Sequence, residues 1–353
     1  MHPTRVVLLC DRPHWAYDAI AQALVTHNTD PALEMEIAYL KGGAERWQAA
    51  QARCDLVFAL GWQLVGAWRT GWGRRQPVVP AAGLVERFPQ LEPHRTITGL
   101  HSHHGWDGGR TQPDRDVEPP ASLIRFLRRC RGVNAVSQRL AELFRRAGLP
   151  KVAYTPNGVD TELFRPEAPI RTSGPLRVGF SGNPKHDWRK GVSGFIEPAC
   201  RSLDVELKLA MPQTDQYVPH EQMPQFYNEI DVYLCASSSE GCSLSVLEAA
   251  ACGRPILSTR VGGCEELIVE GRNGWFVDRR VEPIRERLQW CLDQREAVRE
   301  AGQHGREVIE AQWSWAKRAP AWLDFIRAAA GISADQRVDQ RASAMKQLIE
   351  HSR

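Results

Sequence analysis

Residues 236–253 read ASSSEGCSLSVLEAAACG, and their reading decides how the rest of the chain is understood. The apolar run 231–235 (DVYLC) leads in. Serine- and glycine-rich text follows, then the helix-forming SLSVLEAAA, halted by Gly253 with Pro255 just beyond. That order spells strand, loop, helix. Ser243 stands where a helix is capped, and Gly253 suits the left-handed position that closes one. The first N–H groups of such a helix, around Ser243, Leu244 and Ser245, lack intrahelical partners and lie at the positive end of its dipole. They suit an anion, most simply a phosphate. Glu240 lies in the loop and Glu248 lies five residues past the cap, so two groups that only accept hydrogen bonds flank the amide donors. Phosphate donors beside hydroxyl acceptors match a ligand that carries both, a nucleotide sugar.

Outward from this unit, the alternation of strand and helix persists. Towards the N-terminus, 5–10 (RVVLLC) has the unbroken apolar character of a buried strand. Residues 16–25 form a helix with Ala16, Ile20, Ala23 and Leu24 on one face. Further strands are expected at 35–40, 55–60, 95–100, 132–136, 152–155 and 177–180. A helix over 138–146, capped by Ser137 and stopped at Gly148, lies between two of them, and a helix over 223–230 feeds the strand before the glutamate loop. This pattern predicts α/β architecture with parallel sheets covered on both faces and ligands at the carboxyl ends of the strands. At 353 residues the chain exceeds one ordinary core and fits two domains of about 150–180 residues. Hydrophobic content of 42% and charge of 25% are those of a globular protein. No apolar run reaches a membrane span, the start MHPTR is not a signal peptide, and nine scattered cysteines without a C-x-x-C pair read as reduced thiols. A cytoplasmic location is expected.

Three segments, in this order, carry a resemblance: TPNGVDTELFRP (155–166), SSSEGCSLSVLEAAACGRPILST (237–259) with its glutamates eight positions apart, and VGGCEELIVEGRNGWFV (261–277). Together they resemble the retaining family 4 glycosyltransferases of GT-B fold. The likeness covers about residues 130–325 well and the first 130 weakly. It implies two Rossmann-like domains facing across a cleft. Residues 1–168 would form the acceptor side and 174–312 the donor side, joined through the linker-like EAPIRTSGP. A helix over 313–330 would cross back to the first domain, and 331–353 would form a polar tail.

The resemblance also assigns roles. Glu248 would hold the ribose hydroxyls and Glu240 the transferred sugar, while Ser243, Leu244 and Ser245 would meet the phosphates. In SGNPKHDWRKG (181–191), Lys190 matches the family's phosphate-binding lysine. Asn183 or Phe180 stands where its arginine is expected, and Arg189 is the candidate to compensate, being a fork-shaped donor suited to phosphate. His101 corresponds to a histidine that faces the donor sugar. After the first strand the family often has Gly-Gly, but this chain has DRPHWAYD, so Asp11, Arg12, His14 and Trp15 are expected to shape an acceptor pocket. His103, His104 and Asp107 of HSHHGWDGG (101–109) join that side. A metal reading of the histidine cluster is disfavoured because Gly105, Gly108 and Gly109 leave the loop without fixed geometry. Plainer readings stand beside these: Trp15 as packing, His101 as a core histidine, Arg189 as a surface arginine, and residues 262–263 as an ordinary tight turn. No metal or cofactor is implied, the nucleotide-diphosphate sugar being a co-substrate.

Within 123–146, Arg125, Arg128, Arg129, Arg131, Arg139, Arg145 and Arg146 face one acid, Glu142. They form either a solvated helix face or a surface for an anionic membrane or acidic acceptor. A net charge of +3 is too small for a nucleic-acid binder to be favoured. The expected activity is transfer of a sugar to an acceptor hydroxyl with retention, in glycan or glycolipid synthesis. A nucleotide-sugar epimerase of the same fold and a catalytically silent binding protein remain the alternatives, with glycosylation of modified nucleic acid a minor one.

Overall fold

The computed structural model describes residues 2–40, 44–65 and 92–332. Within Thr4–Cys10 (β1), the residues from Val6 onward are apolar and buried. A strand of that kind needs neighbours on both edges and cover on both faces, and β1 has them. It pairs in parallel with Leu33–Tyr39 (β2) and Leu56–Ala59 (β3). The sheet continues through Thr96–Leu100 (β4), Gly132–Ala135 (β5) and Val152–Tyr154 (β6) in the order β2-β1-β3-β4-β5-β6. A second parallel sheet has the order β11-β10-β9-β7-β8, built from Leu176–Ser181 (β7), Val205–Ala210 (β8), Val232–Cys235 (β9), Ile256–Ser258 (β10) and Gly274–Phe276 (β11). The predicted strands fall within a residue or two of these bounds. β8, β10 and β11 are additional to the strands the sequence predicts.

The second domain's frame is pinned by Asp231, a fully buried carboxylate just before β9. It receives Arg177 of β7 at 2.9 Å and Arg295 at 3.2 Å, pairs that hold its pKa down against burial. The helix Trp315–Ala330 returns to the first domain and packs along Ala16–His27. Trp322 is fully buried there and donates its indole N–H to the Pro156 carbonyl at 2.8 Å. Gly158 allows the approach: a Cβ on it would lie 2.7 Å from Trp315 Cα.

Glu266 ties the domains at the cleft's other side. It accepts the Gln138 N–H at 2.8 Å and the Tyr154 hydroxyl, so one carboxylate from the second domain holds both β6 and the helix Gln138–Arg146. Ser137 caps that helix as expected, accepting the Leu140 N–H. No helix among the described residues is long and apolar enough to cross a membrane. Most of the expected polar tail, 333–353, lies outside the described residues.

Candidate active site

β9 ends at Cys235, the loop carries Glu240, and the helix Leu244–Ala251 begins after Ser243, so the strand, loop and helix stand as the sequence spells them. Gly253 closes the helix at φ 72°. Ser243 occupies the cap position, but its side chain makes no capping hydrogen bond, so the first N–H groups of the helix are not satisfied by it.

Glu240 is buried, and one of its oxygens, Oε1, gathers three donors: Lys190 Nζ at 2.6 Å, Ser237 Oγ at 2.6 Å and Arg189 Nη1 at 3.2 Å. Burial works to raise its pKa. Lys190 and then Arg189 outweigh that and take it down to about 2, leaving a firmly ionised carboxylate. Arg189 also donates to the Ser239 carbonyl at 3.0 Å, so the plainer reading of a surface arginine is wrong: it is buried under the loop. Arg279 extends the brace by donating to the carbonyls of Ala236 and Arg189. Asn183 stands at the end of β7, where its Oδ1 caps the Lys185 N–H at 3.0 Å.

The Gly262–Gly263 turn lies directly against this loop. A Cβ on Gly262 would fall 2.1 Å from the Gly241 carbonyl oxygen and 2.5 Å from that of Glu240, and Gly263 donates its N–H to Gly241 at 2.6 Å. These glycines admit a close backbone neighbour, and the neighbour is the Glu240 loop.

Eight residues on, Glu248 accepts a hydrogen bond from the Tyr227 hydroxyl at 2.7 Å. Burial raises its pKa, while Tyr227 and His220 pull the other way. Glu248, Leu244 and Ser245 line a cleft of ≈ 510 Å³ whose opposite wall is the first domain: His14, Trp15 and the helix Ala16–His27. The structure therefore brings His14 and Trp15 to the same space as Glu248. His14 sits at φ 60° and donates its N–H to Asp18, Arg12 lies 3.6 Å over the Trp15 ring, and Asp11 is 3.5 Å from Arg12.

The 101–109 loop divides. His101 reaches the Glu240 loop with its backbone, since a Cβ on Gly241 would lie 2.0 Å from its carbonyl oxygen. Its ring packs edge-on to Tyr17 and beside Trp322. Burial lowers its pKa to about 4, against a smaller opposing effect of the Leu60 carbonyl, so the ring is neutral at pH 7. His103 and Asp107 correct the acceptor-side expectation. His103 is buried 3.1 Å from Asp116, and Asp107 is buried accepting the N–H groups of Gly109 and Thr111, so both hold the loop itself. The side chain of His104 lies outside the described residues. The arginine face is likewise thinner than the sequence suggests. Arg139 donates to Asp116 and to the carbonyls of Gln112, Pro113 and Arg260, Arg128 to the Gly148 carbonyl and Arg145 to that of Val152. Arg125, Arg128, Arg129, Arg131, Arg145 and Arg146 are exposed, Arg146 within 4.0 Å of Asp116, and Arg139 alone is half-buried.

Tyr227, Ser237, His220 and Glu266 went unremarked in the sequence. Each acts through a partner distant in the chain or through a loop geometry that periodicity does not encode.

The chain matches the family model for glycosyl transferases group 1 over residues 213–308. A D-inositol 3-phosphate glycosyltransferase of Corynebacterium urealyticum is 30% identical over 161 residues, 43% of this chain and 35% of that protein. A GDP-mannose-dependent alpha-(1-6)-phosphatidylinositol monomannoside mannosyltransferase of Mycobacterium tuberculosis is 29% identical over 289 residues, 70% of this chain and 73% of that one. The chain thus spans about a third of the first relative's length and about three quarters of the second's. Among solved structures, a sucrose-phosphate synthase from Thermosynechococcus elongatus superposes with a TM-score of 0.70 at 16% identity, covering 94% of this chain and 100% of that one. Anabaena HepE in complex with UDP and glucose does so at 0.64 and 15%, covering 92% and 99%. The matched segment holds both glutamates, and the two facing parallel-sheet domains superpose along nearly their whole length: residues 213–308 carry a glycosyl transferases group 1 domain, and the chain has the GT-B fold.

Proposed function

We propose that this protein transfers a sugar from a nucleotide-diphosphate sugar to an acceptor hydroxyl with retention at the anomeric carbon and without a metal ion. The observation that carries the reading is the convergence of Lys190 and Arg189 on Glu240, beside the start of the helix that bears Glu248. Two cations and the uncapped amides of that helix can take up the charge that grows on a departing diphosphate. Glu248 would hold the ribose hydroxyls and Glu240 a hydroxyl of the sugar. A diphosphate entering there exchanges with Glu240 for Lys190, so the resting ion pair keeps the lysine in place until the donor arrives.

Retention follows from a reaction on one face of the sugar. The bond from the anomeric carbon to the phosphate oxygen breaks, the bond to the acceptor oxygen forms, and the acceptor's proton passes to the leaving phosphate. Attack by the ionised Glu240 to form a covalent glycosyl-enzyme is the alternative course. His101, neutral at pH 7, is suited to a hydrogen bond with substrate rather than to holding charge.

The complexes of HepE with UDP and the GDP-mannose dependence of the mycobacterial relative support a UDP- or GDP-sugar donor, and that relative's phosphatidylinositol mannoside supports a glycolipid acceptor. The protein would then act in the cytoplasm, at the inner face of the membrane, through Arg125, Arg129, Arg131 and Arg146. The test is a thermal-shift and turnover series across UDP-, GDP-, ADP- and TDP-sugars with the wild type, Glu248→Ala and Lys190→Ala. One nucleotide should stabilise the wild type, and both variants should lose the shift and the turnover. Folded variants indistinguishable from a wild type that binds none of the four would refute the reading. Binding to anionic vesicles that falls as salt rises checks the membrane contact.

A further inference from the structure

Behind Glu248 the donor domain holds a buried chain of hydroxyl groups that the activity alone does not require. Tyr227, on the helix Met223–Asn228, is fully buried and gives its one hydroxyl proton to Glu248 Oε2 at 2.7 Å. Its oxygen lies 3.0 Å from Ser181 Oγ, which lies 3.2 Å from the hydroxyl of Tyr233, itself fully shielded within the sheet on β9. The Tyr233 oxygen in turn accepts the Ser181 N–H at 3.3 Å.

Proton counting fixes the direction. Tyr227 has donated its only proton, so Ser181 Oγ must be the donor to Tyr227, and Tyr233 donates to Ser181, at Oγ or at its carbonyl. The hydroxyls of Tyr227 and Ser181 thus point their donors towards Glu248, and the chain ends on an acceptor. Such an arrangement stabilises the ionised carboxyl and fixes its plane.

We propose that Tyr227 is a positioning residue: it holds Glu248 ionised and oriented, with Oε2 engaged, so that Oε1 can accept a ribose hydroxyl, and through Ser181 it joins that carboxylate to the turn after β7 that carries Asn183 and leads to Lys190. This rests on the reading that a nucleotide occupies the cleft beside Glu248. The other titratable groups facing that cleft are His220, near Glu248, and His14, Asp18, His27 and Asp160 on the opposing wall. Of these only His220 opposes the effect of burial on Glu248.

Tyr227→Phe keeps the ring, which packs edge-on to Phe164, Phe226 and Tyr233, and removes only the donor. The experiment measures Kd for UDP and for GDP by calorimetry from pH 5.5 to 8.5 on the wild type, Tyr227→Phe, Ser181→Ala and Glu248→Gln, with thermal unfolding alongside. In the wild type, binding weakens as pH falls and Glu248 takes up a proton. Losing Tyr227's donor raises the Glu248 pKa, so the weakening sets in at higher pH. Tyr227→Phe should bind about tenfold more weakly near pH 6 and approach the wild type near pH 8.5, the size expected for a hydrogen bond to a charged group. Ser181→Ala, which leaves Tyr227 in place, should show a smaller shift in the same direction and keeps the inference testable if Tyr227→Phe does not fold. Glu248→Gln should bind weakly with little pH dependence. A Tyr227→Phe profile parallel to the wild type, whether equal to it or weaker by the same factor at every pH, overturns the positioning role while nucleotide binding stands. A wild type that binds neither UDP nor GDP overturns both.

Discussion

Glu240→Gln removes the one negative charge that two cations share. In the wild type, Oε1 receives Lys190, Ser237 and Arg189 at 2.6, 2.6 and 3.2 Å, and the carboxyl's pKa is taken from its usual 4.5 to about 2. A folded-state pKa below the unfolded one means that the unfolded chain binds the proton more readily. The contribution is therefore fully present above about pH 4.5 and is lost as pH falls towards 2. At 1.36 kcal/mol for each pKa unit, its size is ~3 kcal/mol, which agrees with the ~3–5 kcal/mol that breaking a buried ion pair costs. Glutamine preserves shape but leaves Lys190 and Arg189 without a counter-charge. Urea unfolding followed by tryptophan fluorescence should show the donor-domain transition destabilised by ~3 kcal/mol at pH 7, with the gap to wild type narrowing between pH 4.5 and 3. UDP or GDP at a hundred times its Kd for the variant should add ~2.7 kcal/mol by mass action. Sugar transfer should still fall sharply, since glutamine no longer offers a carboxylate to the sugar. A variant within ~1 kcal/mol of wild type at pH 7, or a gap that persists unchanged at pH 3, would show that Glu240 is not the counter-ion described.

Three further outcomes follow from the same geometry. Gly262→Ala places a methyl group 2.1 Å from the Gly241 carbonyl oxygen at φ 45°; the Glu240 loop must move, so turnover should drop at least tenfold while the ~1–3 kcal/mol of strain leaves the protein folded, as circular dichroism and kinetics together can check. Trp322→Ala empties a fully buried site and removes the bond to Pro156, and thermal or urea unfolding should register a loss of ~3–5 kcal/mol. His101→Gln bears on pH: the native ring resists protonation until about pH 4, whereas an unfolded histidine takes a proton near 6.5, so wild-type stability declines as pH falls through that window, and the variant should lack that part of the decline. An unchanged slope of stability against pH in the variant would contradict the burial assigned to His101.

What the sequence made legible is local. The strand, loop and helix around Glu240 depend on residues within about twenty positions, and periodicity, Gly253 and the unpaired amides of a helix start suffice to place them. The long apolar strands of the first sheet were legible for the same reason. The site's electrostatics depend on pairs that no window contains. Arg189 and Glu240 are 51 residues apart, Tyr227 and Glu248 are 21, and Gln138 and Glu266 are 128. Reading residues by type gave Arg189 a phosphate; folding gives it a carbonyl and a carboxylate first, so any anion that binds there must compete with Glu240. The same competition separates a preformed phosphate site from an exchangeable one. A preformed site would leave Lys190 without a counter-ion at rest, whereas here the lysine is neutralised at 2.6 Å, so an anion that takes it must displace Glu240. A diphosphate, with more negative charge and more acceptor oxygens than a monophosphate, is expected to compete better with Glu240, and comparing UMP with UDP, or GMP with GDP, measures that difference directly. Equal affinities would mean that Glu240 does not yield Lys190, and that the diphosphate lies elsewhere in the cleft.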